Sequence, residues 1–470
     1  AAVYGGVRVP AKICNTVSGE TEMLGAIAVA ASALAAVQVP APEGALPVRI
    51  TEPWTIELGP GRVDTPEGAR ELRQAVSVNI APVELVQVRG EEHNPLPLFD
   101  PNAGSWRRGA KLKQLIAEEC TGTGLAVPSS IRLTSQPGAA ETFVADTDYV
   151  VDAFWAQIGR IEGGAIAPDQ AVYVDYDYYP TRVDSILVDA SGGVRVAQGK
   201  PGVGNIHLPE PGTGEVAVCT VWHNGILAGL EPENVFPIQF AATSTAGPAP
   251  SAERLLPKTL AKLRNGEPVT IVAWGDSVTN GGGLKAGQDA LWYQQQFLAR
   301  LQERFPQSAI TLHTAAWPGN SSNGYMSAPA GGQYDFKRDV LDRKPDLVTI
   351  EFVNDAYLQG DALNEQYAKI RDALRAIPAE IILITPHYVR QDWMNVSTVK
   401  VDEDPRPYVR GLREFAEANG IAVADASRLW GELWRKGIPY PIILANAINH
   451  PDERGMKLFA DALMAVFPEK

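Results

Sequence analysis

The stretch "TIVAWGDSVTNGGG", residues 270–283, decides how the second half of this chain is read. An apolar, β-branched run from Thr270 to Val272 leads into Gly275-Asp276-Ser277 and then into a polar, glycine-rich turn. A buried strand that ends in small polar residues is where a parallel sheet presents its chemistry. Ser277 is then a candidate nucleophile, a member of a phosphate-cradling loop, or part of an ordinary turn. The phosphate reading fails, because no Gly-Lys-Ser/Thr follows the glycines and the G-x-G-x-x-G spacing is absent. A G-x-S-x-G elbow fails too, since Val278-Thr279 follow the serine.

Around this stretch, apolar runs at 269–274, 309–316, 347–353, 380–385 and 420–424 alternate with helical spacing at 289–304, 361–376 and 407–419. Met456, Phe459, Leu463, Met464 and Phe467 share one face of a final helix. Continuous apolar strands alternating with amphipathic helices predict a parallel sheet covered on both faces, a three-layer α/β/α domain over 254–470. The texture differs before residue 240. Alternating runs at 47–59, 170–189 and 214–225, separated by Gly, Pro and Asn-Gly signals, predict an antiparallel, β-rich accessory region over 1–240, a sandwich or jelly-roll-like fold in one or two parts. Its best helical pattern is 106–119, "WRRGAKLKQLIAEE". A Thr/Ser/Ala/Gly/Pro stretch at 241–253 reads as a linker.

Bulk properties narrow the function. The chain has 470 residues, with 55 Asp plus Glu against 41 Lys plus Arg, a formal net charge of −14 that disfavours nucleic acid as a partner. Cys14, Cys120 and Cys219 lie far apart without metal-ligand spacing, so neither a disulfide framework nor structural zinc is expected, and no pattern requires a metal or cofactor. The alanine-rich segment 23–44 is preceded by Glu20 and Glu22 rather than by a basic flank and is weakly apolar; it reads as part of the folded protein, with no membrane span expected.

Three further positions are placed in keeping with Ser277. Gly319, in "AAWPGNSSNG", follows the second apolar run; Asn354, in "IEFVNDAY", follows the third; His450, in "ANAINHPDERG", precedes the last helix. With Gly275-Asp276-Ser277, these blocks in this order resemble the SGNH hydrolases, or GDSL esterase/lipase family, over about residues 254–470. The resemblance implies that Ser277 attacks an ester carbonyl, that His450 moves the proton, and that the Ser277 and Gly319 N–H groups with the Asn354 amide hold the oxyanion. Asp276 is expected to bond its own turn. His387, beyond the fourth run, is the rival histidine.

The chain departs from the family pattern twice. Ala447 stands where the family has the Asp that orients the histidine, which leaves Asn446, Asn449, Asp452 or a backbone carbonyl, or the more distant Asp425 or Asp355, to do so. Phe352 stands where the third block usually has glycine, which implies altered local backbone. The resulting expectation is a serine esterase acting on short acyl esters, O-acetyl groups of a carbohydrate first among them, through an acyl-serine. Alternatives are a general arylesterase or lipase-type enzyme, or a carbohydrate-binding protein whose hydrolase fold has lost its chemistry. Aromatic residues of the accessory region, Trp54, Trp106, Trp155, Tyr176, Tyr178 and Trp222 among them, serve either a sugar platform or a core. A polysaccharide substrate would imply a secreted or periplasmic protein; oligomeric state stays open.

Overall fold

The computed structural model describes residues 36–240 and 249–469. Most of the alanine-rich segment, Cys14 and positions 241–248 of the expected linker lie outside the described residues. Among the described residues no helix is long and apolar enough to cross a membrane.

The second half is built on a five-stranded parallel sheet in the order Ile310–Ala316, Val269–Gly275, Leu347–Glu351, Glu380–Ile384, Ala422–Ala424. Its inner strands are buried on both faces because both faces are covered, whereas the edge strand Ile310–Ala316 is only partly buried. Along Val269–Gly275, Ile271 packs in a core with Tyr293, Phe297, Met456 and Phe459, beneath the helices Tyr293–Arg304 and Glu453–Val466. Its neighbours Val272 and Trp274 face the other core, with Tyr367, Ile370, Leu412 and Phe415 of the helices Gly360–Arg375 and Pro407–Asn419. The side-chain period of two thus assigns alternate residues to opposite layers, giving the α/β/α domain.

The N-terminal half is antiparallel and strand-rich. A sheet of Val37–Gln38, Val48–Glu52, Thr55–Leu58 and Val76–Asn79 shares one core with a sheet of Val194–Ala197, Arg182–Val188, Val216–His223 and Val235–Pro237. Ile50, Ile56 and Leu58 from the first meet Ile186, Val188 and Val221 from the second, a sandwich whose halves are joined through a long intervening segment. The intervening residues build a core of their own around Leu112, Leu115, Leu133, Ile158, Val174 and Tyr176, with Val86–His93, Val172–Tyr178 and Arg132–Thr134 as their main sheet. The two β-rich cores are therefore nested, one inserted in the other. Of the aromatic residues weighed as a sugar platform, Trp155, Tyr176, Tyr178 and Trp222 are buried.

The helix expected at 106–119 does not form. The segment runs through a 3₁₀ turn at Ser105–Arg107, pairs Ala110–Lys111 with Gln157–Ile158, and closes in a hairpin of Ile116–Ala117 with Cys120–Thr121. Tertiary pairing overrides the helical composition: Gly109 passes so close to Ile158 that an added Cβ would lie 2.3 Å from its carbonyl oxygen. The two residues of the hairpin turn are Glu118 and Glu119.

Candidate active site

Three adjacent strand ends converge on Ser277. Gly275 is in register with Ala316 on one side and Glu351 on the other, so Ser277, Gly319 and Asn354 each lie two or three residues beyond aligned positions. Ser277 is 8% exposed, and its Oγ lies 3.1 Å from His450 Nε2. Among the described residues, neither the N–H of Ser277 nor that of Gly319 has a hydrogen-bond partner. Gly319 sits at φ +73°, a conformation that favours glycine, in the turn after its strand.

Asp276 and Asn354 are bound to each other. The Asp276 carboxylate accepts the backbone N–H of Asn354 (2.9 Å), its side-chain Nδ2–H (2.8 Å) and the backbone N–H of Val278 (3.1 Å). One amide hydrogen of Asn354 is thereby fixed, and the geometry of the other follows. Burial pushes the Asp276 carboxyl up to about 6 against these hydrogen bonds. Two further buried acids lie nearby. Glu351 is driven well above its usual value by burial and by the charges of Asp276 and Asp355, and burial brings Asp355 up to about 6 despite hydrogen bonds from Ser322 and Tyr367. Phe352 takes the family's glycine position without strain, at φ −138°, and packs edge-on against Trp274 with ring centroids 4.9 Å apart. The backbone there has no need of glycine.

Among the described residues, none of the side chains weighed as orienters is within hydrogen-bond reach of His450 Nδ1, which has Glu118 and Glu119 beside it. Asn446 Oδ1 already accepts the N–H groups of Ile448, Asn449 and His450, shaping the loop that carries the histidine. The Asn449 side-chain oxygen accepts from Asn446 Nδ2. Asp452 caps the last helix at the N–H groups of Arg454 and Gly455 and pairs with the Arg454 guanidinium. Asp355 is held by Ser322 and Tyr367, and Asp425 by Thr385 and Arg413. Ala447, at φ +60°, lines a cavity of about 450 Å³ shared with Leu125, Phe154, Trp222 and Ile442. Nδ1 instead faces the hairpin of the inserted unit, with Glu118 Oε2 at 3.1 Å and Glu119 Oε1 at 3.3 Å. Sequence reading missed both glutamates; the helical composition around them and their distance along the chain explain why.

His387 is a support rather than a second base. It is fully buried, its Nε2–H donates to the Asn449 carbonyl at 2.6 Å, and burial with the nearby Arg406 charge pushes its pKa down to about 3. The residue next to His450 is thereby held from behind.

Gly282 closes the near side. Its N–H donates to the Ser277 carbonyl at 2.8 Å, and a Cβ there would lie 3.1 Å from both Cε1 and Nε2 of His450. On the mechanism proposed below, Gly282→Ala is expected to push the imidazole off Ser277 by a few tenths of an ångström and to lower kcat on 4-nitrophenyl acetate by about 10-fold, because the alignment of reacting atoms is steeply sensitive to distance. An unchanged melting temperature beside the lower kcat would locate the effect in the site, whereas an unchanged kcat would show that the ring tolerates the methyl group.

The sequence profile of the GDSL-like Lipase/Acylhydrolase family matches residues 273–458, and this segment is a GDSL-like acylhydrolase domain. Among solved structures the chain is similar to a two-domain esterase (CEX) active on acetylated mannans, at 19% identity and a TM-score of 0.38, over 47% of this chain and 55% of that one. It is also similar to Axe2, an acetylxylan esterase from Geobacillus stearothermophilus, at 23% identity and a TM-score of 0.33, over 43% of this chain and 95% of the other. A third is the acetyl xylan esterase AlAXEase, at 19% identity and a TM-score of 0.34, over 43% of this chain and 100% of the other. The chain spans about half the length of the first of these, 55%. No curated protein matches its sequence.

Proposed function

We propose that the protein is a serine esterase that hydrolyses short acyl esters, O-acetyl groups on a carbohydrate in particular, through an acyl-serine. The observation that carries this reading is the line Ser277 Oγ, His450 Nε2, His450 Nδ1 and a carboxylate, each step within hydrogen-bond reach. A fold that had kept its shape but lost its chemistry would have no reason to hold an acceptor behind Nδ1.

In this mechanism Ser277 Oγ attacks the ester carbonyl as His450 Nε2 takes its proton. The carbonyl oxygen becomes an anion, received by the N–H groups of Ser277 and Gly319 and by the free Nδ2 hydrogen of Asn354. Collapse breaks the C–O bond to the alcohol, which leaves with the proton from His450. Water then attacks the acyl-serine, giving its proton to His450; the second collapse returns that proton to Ser277 and releases the carboxylic acid.

The roles separate by substitution. Asn354→Ala removes one oxyanion donor and is expected to lower kcat by about 10²–10³-fold with KM little changed, since the donor acts on charge present only in the transition state. A rise in KM at constant kcat would instead make Asn354 a substrate-binding residue. The substrate class is the narrower part of the proposal. Acetylated xylans and mannans are what the similar structures named above are described as acting on. Acetate release by the purified chain from acetylated xylan and from 4-nitrophenyl acetate, with Ser277→Ala as control, tests it. Release from both supports deacetylation of glycans, release from the aryl ester alone supports a general esterase, and release from neither sinks the catalytic reading.

A further inference from the structure

We infer that Glu118 and Glu119, the two-residue turn of a hairpin in the inserted β-rich unit, are the positioning residues of His450, replacing together the acid that position 447 lacks. The inference rests on the esterase reading for its kinetic consequence, and on geometry alone for the contact itself.

Each glutamate makes a second contact besides the one to His450. Glu118 Oε2 faces His450 Nδ1 while its Oε1 accepts the N–H of Gly283 at 3.0 Å, in the loop that follows the nucleophile. Glu119 Oε1 faces the same Nδ1 and accepts Asn446 Nδ2–H at 2.9 Å, in the loop that carries the histidine. The turn therefore bridges the nucleophile loop and the histidine loop. Its conformation suits that bridge. Ala117 pairs directly with Cys120, and Glu118 adopts φ +53°, a left-handed value that a residue with a Cβ rarely takes. Such local strain is found where surrounding contacts impose it. The base of the hairpin is anchored to the hydrolase domain, with Cys120 and Trp155 packing against Ile448 and the Arg390 guanidinium lying 4.0 Å over the Trp155 ring.

Two acids have a physical reason to stand in for one. The Glu118 and Glu119 side chains are 33% and 47% exposed, so solvent screens each more than it would a buried aspartate. Their combined field still dominates the imidazole. Burial opposes its charge, but the bonds and charges of Glu118 and Glu119 outweigh burial and push His450 up to about 10, while Glu119, against its partial desolvation, is drawn down to about 2 by His450. The other groups facing the ring are Asp276, which also favours the charged form, His387, which opposes it, and the Ser277 hydroxyl. Asn446 and Asn449 are neutral.

The sign of the pH effect follows. The base must be neutral to accept the Ser277 proton, and the carboxylates favour the imidazolium, so the acid limb of kcat/KM lies above the ordinary histidine range. Glu118→Gln combined with Glu119→Gln is expected to lower the His450 pKa by about 1–3 units, to move the acid limb of hydrolysis downward by the same amount, and to reduce plateau kcat about 10²-fold, with each single variant intermediate. The first readout is NMR titration of the His450 imidazole, which needs no turnover. Circular dichroism of the variants confirms folding. An unchanged His450 pKa in the double variant overturns the inference, as does loss of activity in EDTA with recovery on adding zinc, since a cation would then occupy the space between the three side chains. Absence of wild-type hydrolysis would refute the esterase reading alone, and the NMR shift would still decide the contact.

Discussion

Replacement of Ser277 by alanine is expected to lower kcat on any short ester by about 10⁴–10⁶-fold, leaving substrate binding and melting temperature close to those of the parent. The size follows from the chemistry. Without Oγ no covalent intermediate forms, and the remaining rate is whatever the oxyanion donors and the bound geometry lend to direct attack by water. The small effect on stability follows from the surroundings: the hydroxyl has His450 as its side-chain partner, and alanine fills nearly the same space. Steady-state kinetics with 4-nitrophenyl acetate measure the first expectation and thermal unfolding the second. A loss of only a few-fold would transfer the nucleophile's role to another group.

His450→Ala is expected to cost about 10⁴-fold in kcat, and to do something that Ser277→Ala does not. Because the proposed mechanism assigns the acid limb of the pH profile to this imidazole, its removal should leave a small residual rate that has lost that limb. The two substitutions should not add, since serine and histidine act as one unit and the double variant should retain about the rate of the worse single one. Full additivity would mean that the two residues contribute independently, which their 3.1 Å contact does not allow under this mechanism. His387, the other histidine near the site, cannot take over. Its Nε2–H is committed to the Asn449 carbonyl and its environment disfavours the charged form, so it does not cycle a proton at neutral pH.

What was legible in the sequence follows the range of the interactions. The parallel sheet could be read because its inner strands are continuous apolar runs, and the connecting helices carry their own spacing; both signals are local. The strand-end positions of Ser277, Gly319 and Asn354 follow from that sheet once its strands are placed. The contact behind His450 could not be read in the same way. Glu118 lies 332 residues from it in the chain, in a segment whose lysines, leucines and glutamates spell a helix, while Ala110–Lys111 pairs with residues 157 and 158 and Ile116–Ala117 folds back on Cys120–Thr121 as a hairpin. Gly109 was the one signal against that helix. The nesting of the β-rich cores was hidden for a similar reason: Ile56 and Ile186 share a core, but composition does not change between 80 and 180 in any way that marks an insertion. Asn446, Asn449 and Asp452 were reasonable orienters by proximity. Each is engaged by hydrogen bonds to the loop or helix around it.

The decisive measurement is the mass of the protein quenched in acid within the first turnovers with 4-nitrophenyl acetate, followed by peptide mapping. An acyl-serine mechanism requires a single added acetyl group on the peptide containing Ser277, present in the parent, absent in Ser277→Ala, and accumulating further when Glu118 and Glu119 are both replaced if deacylation becomes the slower step. Turnover without any acetylated protein, or acetyl on another residue and equally in Ser277→Ala, would contradict it.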